Sequence, residues 1–466
     1  MTTRKKEKAE TKKTIWEKSD AQKLEQFCGE YRSFISLNKT ERECVSFMEQ
    51  TLTACGAKDL NQIIASGGTL QTGDLVYADM MKKALLIFRI GARPVTEGMR
   101  FLGAHIDSPR MDLKQHPLYE NTNLALFETH YYGGIKKYQW VTLPLALHGV
   151  IAKKDGTVIS VCIGEDPADP VFGVSDLLIH LAGKQMTKKV SEAVTGENLN
   201  VLVGSRPLPD CEDKETVKAN ILALLAERYG IEEDDLISAE IEVVPAGPAR
   251  DYGLDRSMIM GYGQDDRVCA YPSFRAILDE TNTQYTSVCL LTDKEEIGSV
   301  GATGMHSRFF ENTVAELMNV LGCYSELNLR RTLAHTKVLS SDVSAAFDPN
   351  SPDVMEKNNA EYFGCGPVFN KYTGSRGKSG SNDANAEYIA WLRACMDEAD
   401  IRYQTSELGK VDEGGGGTIA YILANLGMEV IDFGVAVLNM HAPWEITSKA
   451  DIYETYLAYK AFLSRT

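Results

Sequence analysis

Apolar residues recur along this chain with more than one period, and the changes of period divide it into three stretches. Between residues 15 and 57, Trp16 and the run Phe27, Tyr31, Phe34 and Ile35 keep helical spacing, which predicts helices behind a charged arm at residues 1–14. ALLIFRIG (84–91) and MRFLGAHIDS (99–108) predict buried strands, and the second ends in polar residues. From about residue 110 to 250 the texture changes to short β-rich runs, LALFETHYY, QWVTLPLALHGVIA and TVISVCIG. Helices are predicted there over LLIHLAGKQMTKKV and KETVKANILALLAERYG, and the Pro/Asp-rich connectors EDPADP and SRPLPDCED lie between. Those joints argue for a separate domain at 110–250, inserted between a first part at 1–109 and a second at 251–466. The last part alternates strands such as YTSVCLLTD (285–293) and EVIDFGVAVLNM with helices such as FFENTVAELMNVLGC (309–323) and DANAEYIAWLRACMDEA (383–399). That alternation predicts an α/β sheet covered by helices on both faces.

Composition narrows what such a fold can do. The 466 residues leave room for two to four domains, and 44% apolar with 24% charged residues is ordinary for a globular chain. Lys and Arg number 49 against 65 Asp and Glu, a net charge of −16, which disfavours nucleic acid and anionic membrane as partners. Apolar runs such as FGVAVLNM fall far short of the roughly 18 residues of a membrane span. Ten cysteines without a CxxC pair suit buried thiols of a reducing compartment, so a cytoplasmic location is expected.

The chemistry concentrates at strand exits. AHIDSP carries His105 and Asp107, GYGQDDR Asp265 and Asp266, TDKEEIGS Glu295 and Glu296, LSSDVS Asp342, and NMHAPWE His441. Charged groups beside buried strands are costly unless paired, so five such places call for cations or for one another. Two divalent metals answer that demand with His105 and Asp342 on one ion, Glu296 and His441 on the other, and Asp265 between. Nitrogen and oxygen donors without thiolate suit Zn, Co or Mn, and Glu295 is left free as a base. Taken singly, a histidine or an acidic pair is more often an ordinary surface or core feature; it is the joint occurrence that balances a metal site against that reading.

Other motifs carry less. GSRGKSGS misses a phosphate loop because position 372 is Tyr rather than Gly. DEGGGGTIA (412–420) reads equally as a plain turn or as the backbone wall of a pocket. HExxH and GxSxG are both absent.

AHIDSP, GENLNVLVGS, the Asp265 pair, EEIGS, SSDVSAAFDPN, KYTGSRGK and MHAPWE, in this order from about residue 80 to the end, resemble the M18 metalloaminopeptidases, the aspartyl aminopeptidase and vacuolar aminopeptidase I group, and most closely its bacterial members. The resemblance implies a mixed-sheet metallopeptidase catalytic domain between helices, with an inserted β-rich dimerisation domain. It implies His105 as the first metal histidine, Asp107 as the aspartate that orients it, Asp265 as the bridge and Glu295 as general base. Glu296, Asp342 and His441 complete the ligands of two divalent ions. It further implies dimers assembled into a tetrahedral dodecamer, with His180 of DLLIHLAGKQ reaching a neighbour's active site.

Two departures bear on specificity. YGGIKKYQWVTLPL lacks the Asp and Arg that many eukaryotic relatives carry there, and SAAFDPN lacks the two histidines of AHAxHPN. The expected activity is therefore removal of N-terminal residues from short peptides with neutral or broad preference. The alternatives are an Asp/Glu-specific aminopeptidase, a deacylase on the same scaffold, or a non-enzymatic shell. If the pocket takes acidic residues, Lys371, Arg376 and Lys378 of KYTGSRGKSG are its candidate cations.

Overall fold

The computed structural model describes residues 14–466 except 213 and 282; the charged arm expected at 1–14 falls outside it but for its last residue. Its centre is a nine-stranded mixed sheet. The four central neighbours, Thr286–Thr292, Met99–His105, Lys337–Ser340 and Glu429–Gly434, run parallel. Ala84–Arg89 and Val368–Asn370 flank them antiparallel. Successive residues of one strand point to opposite faces, so Leu85 and Ile87 enter one apolar core while Leu86 and Phe88 enter the other.

Helices cover both faces because both are apolar. Ala21–Leu37, Glu41–Ala54, Gln264–Asp279, Ala386–Glu398 and Lys449–Ser464 bury their apolar sides in the first core. Phe309–Val320, Glu326–Ala334 and Ala420–Ala424 pack on the second. The two N-terminal helices start where their sequence allows it. Asp20 accepts the N–H groups of Gln22 and Lys23, and Thr40 with Glu43 forms a reciprocal capping box. Phe101, fully buried on the central strand, contributes about 1.5–3 kcal/mol by leaving water.

Residues 110–245 supply a second, wholly antiparallel sheet of six strands, in the spatial order Val158–Ile163, Leu145–Ala152, Ala239–Pro245, Arg110–Asn121, Leu124–Tyr132, Val201–Gly204. It has its own core, to which helix Thr216–Tyr229 adds Val217 and Ile221. A third, five-stranded sheet joins Met258–Gly261 and Glu445–Ser448 to Ala436–Leu438.

One sequence expectation is corrected. LLIHLAGKQMTKKV is not a helix: it forms only the 3-10 turns Ile179–Leu181 and Gln185–Thr187 before the single turn Val190–Ala193. Leu177, Leu178, Ile179, Leu181 and Met186 stand exposed. Helical spacing stabilises a helix when a face is buried, and among the described residues nothing covers these apolar side chains.

Candidate metal centre

The site lies where three parallel strands end. Met99–His105 finishes on His105 itself, Thr286–Thr292 is followed by the 3-10 turn Glu295–Ile297, and Lys337–Ser340 leads to Asp342. At carboxyl ends of neighbouring parallel strands the chain turns away and leaves a crevice, which gathers these side chains from distant parts of the sequence. Asp265 enters from the first turn of Gln264–Asp279, where it and Asp266 depart from helical geometry and share a cis peptide bond. Ser108 Oγ donates to the Asp265 carbonyl at 2.8 Å, and the Asp265 N–H donates to Glu445 Oε2 at 3.1 Å, so its backbone is fixed from both sides. His441 comes from the loop after Ala436–Leu438, and its N–H donates to Glu445 Oε1 at 2.8 Å.

Asp265 stands between the two imidazoles. Its Oδ1 is 3.2 Å from His105 Nε2 and its Oδ2 is 3.2 Å from His441 Nε2. Glu296 Oε2 lies 3.5 Å from His441 Nε2; Asp342 Oδ1 and Glu295 Oε2 each lie 3.9 Å from His105 Nε2. Behind His105, the Asp107 carbonyl is 3.0 Å from Nδ1 and Asp107 Oδ1 is 3.3 Å away, so a proton on Nδ1 leaves Nε2 facing Asp265.

Negative charge is in excess here. Among the described residues no lysine or arginine forms an ion pair with Asp265, Glu295, Glu296 or Asp342; only the two histidines do. Burial, helped by Asp107 and Asp265, pushes Glu295 up to about 7 against the pull of the histidines. Burial and the neighbouring Asp265 likewise hold Glu296 well above the usual carboxylate range. Burial also opposes a charge on Asp265, but the His105 and His441 imidazoles on either side outweigh it and hold that carboxyl low. Among the described residues, buried Asp265 Oδ1 and Glu296 Oε1 have no hydrogen-bond partner. A surplus of buried carboxylates, unsatisfied oxygens and two imidazole nitrogens fits divalent cations, and the donor set lacks a thiolate.

Glu295, Glu296, Asp265, Asp342 and His441 line a cavity of about 450 Å³, with Val343, Leu408, Met440 and the backbone of Gly415–Gly417 forming other walls. His105 and Asp107 are buried beneath it. His180 is not brought to this cavity; it is exposed on its 3-10 turn. Lys378 is 2.9 Å and Lys371 3.8 Å from Asp383, and neither lines the cavity. Sequence reasoning missed Glu445, which braces Asp265 and His441 and stood unassigned within MHAPWE. It also missed Tyr132 and Gly134, which touch Asp107 and His441. Position in YYGG alone carries no signal for that.

A mixed sheet with imidazoles and acidic side chains converging at its parallel strand ends is the framework of a metal-dependent hydrolase. The model of the family described as aminopeptidase I zinc metalloprotease (M18) matches residues 34–463. M18 family aminopeptidase 1 of Clostridium acetobutylicum is 61% identical over 455 residues, 97% of this chain and 98% of that protein. The crystal structure of the M18 family aminopeptidase from Thermotoga maritima superposes with a TM-score of 0.94 at 44% identity, covering 98% of this chain and 100% of that one. The S. cerevisiae mApe1 dodecamer shares the fold at 20% identity, with a TM-score of 0.75 over 94% of this chain and 97% of that one. The chain belongs to the M18 family of zinc metalloproteases and is an aminopeptidase.

Proposed function

We propose that the enzyme binds two divalent ions, zinc foremost, with cobalt or manganese as substitutes, and removes N-terminal residues of neutral or varied type from short peptides. His105 and Asp342 would hold one ion and Glu296 and His441 the other, with Asp265 bridging. When bound, the ions polarise the scissile carbonyl and lower the pKa of water. Glu295 takes the proton of the attacking water and returns it to the leaving amine, a role supported by its place in the cavity lining beside the proposed ligands. Asp107 keeps His105 in orientation.

The cavity lining carries the specificity reading. Among the described residues it contains Val343, Leu408, Met440, Asn370 and Thr373 but no lysine or arginine, so an acidic first residue would meet no counter-charge from them while an apolar one would meet apolar walls. Of the cations of KYTGSRGKSG, Lys371 and Lys378 pair with Asp383, and Arg376 and Lys378 line a neighbouring hollow that meets this cavity at Thr373 and Leu408. Comparing kcat/KM on Leu-, Ala-, Lys-, Glu- and Asp-anilides tests this. More than a 10-fold preference for Asp or Glu over Leu would overturn it, and cleavage that survives N-acetylation would point to a deacylase instead.

Residues 110–250 are proposed as a dimerisation domain set between 1–109 and 251–466, building a tetrahedral dodecamer in the cytoplasm. The exposed apolar side chains around His180 support burial against a second copy, where the imidazole would steady the oxyanion of a neighbour's site. Mixed oligomers of His180→Ala and Glu295→Gln should recover activity in composite sites. No recovery in proven mixtures would remove His180 from that role.

A further inference from the structure

The strand Leu124–Tyr132 ends against the metal centre rather than at the surface. Tyr132 O–H donates to Asp107 Oδ2 at 2.8 Å. That carboxylate is fully buried and organises more than His105. Its Oδ1 accepts the Glu295 N–H at 3.1 Å and its Oδ2 the Glu296 N–H at 3.2 Å. One carboxylate therefore sets both an imidazole and the turn bearing two acidic side chains of the site. The Tyr132 ring is itself held, with the Arg110 guanidinium 3.9 Å from its centroid. Arg110 reaches Glu242 of the six-stranded sheet at 3.1 Å and Glu41 of the N-terminal helices at 3.5 Å.

The next two residues extend the contact to the opposite side of the cleft. The Gly134 carbonyl lies 2.9 Å from His441 Nδ1, so a proton there is engaged and Nε2 is turned toward Asp265 and Glu296. Gly133 has φ +74° and packs closely: a Cβ on it would stand 3.3 Å from Glu296 Cβ and 3.4 Å from Glu296 Oε2. In a metal site the group behind a ligating histidine fixes tautomer and ring plane, and losing it typically costs 10–100-fold in metal affinity or activity, an order-of-magnitude range.

The geometry points to Tyr132 and Gly134 as positioning residues through which the six-stranded sheet completes the metal centre of its own chain, Tyr132 by way of Asp107 and Gly134 by way of His441. This rests on the proposed ligand roles of His105 and His441. The sheet then has a part in catalysis separate from any part in assembly, because these contacts lie within one chain.

The test is Zn²⁺ affinity of the dialysed full-length protein, measured by competition with a chromogenic chelator, alongside its oligomeric state and melting temperature. Tyr132→Phe removes one oxygen and is expected to weaken at least one zinc step about 10- to 100-fold with the oligomer unchanged. Gly133→Ala, which presses on Glu296 instead, is expected to weaken zinc binding as well. Tyr131→Phe, next door on the same strand with its half-exposed ring, should bind zinc like the wild type. Zinc binding by Tyr132→Phe and Gly133→Ala equal to wild type would overturn the inference, as would a loss matched by Tyr131→Phe. Wild-type protein that binds no zinc would instead overturn the metal reading beneath it.

Discussion

Two buried clusters in this molecule set an imidazole between carboxylates, and they differ in whether their charges close. At the junction of the N-terminal helices and the six-stranded sheet, His148 lies 2.8 Å from Glu43 Oε1 and 3.1 Å from Glu165 Oε1. Lys39 Nζ donates to Glu165 at 2.6 Å and to the carbonyls of Pro245 and Gly247 at 2.7 and 2.9 Å. Glu43 Oε2 accepts the N–H groups of Lys39 and Thr40. Two cations meet two anions, and the oxygens are engaged. Cys162 Sγ is 4.0 Å from His148 Nε2, so residue types alone would make this a metal candidate too. At the strand ends, Asp107, Asp265, Glu295, Glu296 and Asp342 surround two imidazoles, and among the described residues no lysine or arginine pairs with the last four. The lesson is that a surplus of buried charge, more than the presence of histidine and acid, marks where a cation is needed.

The contrast can be broken most severely at Asp265. Asp265→Ala is expected to abolish peptidase activity and lower the metal content after dialysis, since both proposed ions lose a ligand and the charge between them; elemental analysis that finds two ions per chain would refute the bridge. Glu295→Gln should sharpen it, because the amide keeps the shape but cannot take a proton. A fall of about 10² to 10⁴ in kcat with unchanged metal content is expected. Activity within a few-fold of wild type would mean that another group is the base.

The junction should answer differently. His148→Gln removes a cation from a balanced set and is expected to cost about 3 kcal/mol of stability, the low end for a broken buried pair, because its carboxylate partners are partly exposed. Urea unfolding measures that cost, and kcat/KM of the folded variant should stay near wild type. The pH dependence has a definite sign. Burial disfavours the His148 cation, but its hydrogen bonds to Cys162, Glu165 and Glu43 prevail and raise its pKa to about 11. The folded chain therefore holds this proton more tightly than the unfolded one, and the stabilisation is complete below about pH 6.5 and lost as pH rises toward 11. The wild-type advantage over His148→Gln should shrink across that range; an advantage that grows would reverse the assignment. The smallest effect is expected at Lys378, paired with the exposed Asp383 outside the cavity. Lys378→Met should change kcat/KM on a Leu-anilide by less than about 3-fold, in keeping with the small worth of surface ion pairs. A selective loss on Asp-anilide would bring this lysine into the substrate pocket.

Much of this enzyme was legible in its residues. Continuous apolar runs such as ALLIFRIG and MRFLGAHIDS became strands of the main sheet, because a sheet buried on both faces needs apolar side chains at every position. The order of motifs from AHIDSP to MHAPWE carried the family and the residues gathered at the strand ends, since these chemical types have few other uses beside a buried strand. LLIHLAGKQMTKKV was misleading because periodicity registers a possible face without saying whether anything covers it. Tyr132, Gly134 and Glu445 could not be read in advance: a tyrosine, a glycine and a glutamate become braces of an imidazole or an aspartate only when distant strands converge. Sequence determined which groups would need a cation, through the cost of burying them. Tertiary structure decided which remained unneutralised, because charge balance depends on distance in space, and it brought both His148 and Lys39 to Glu165 while leaving Asp265 between two histidines.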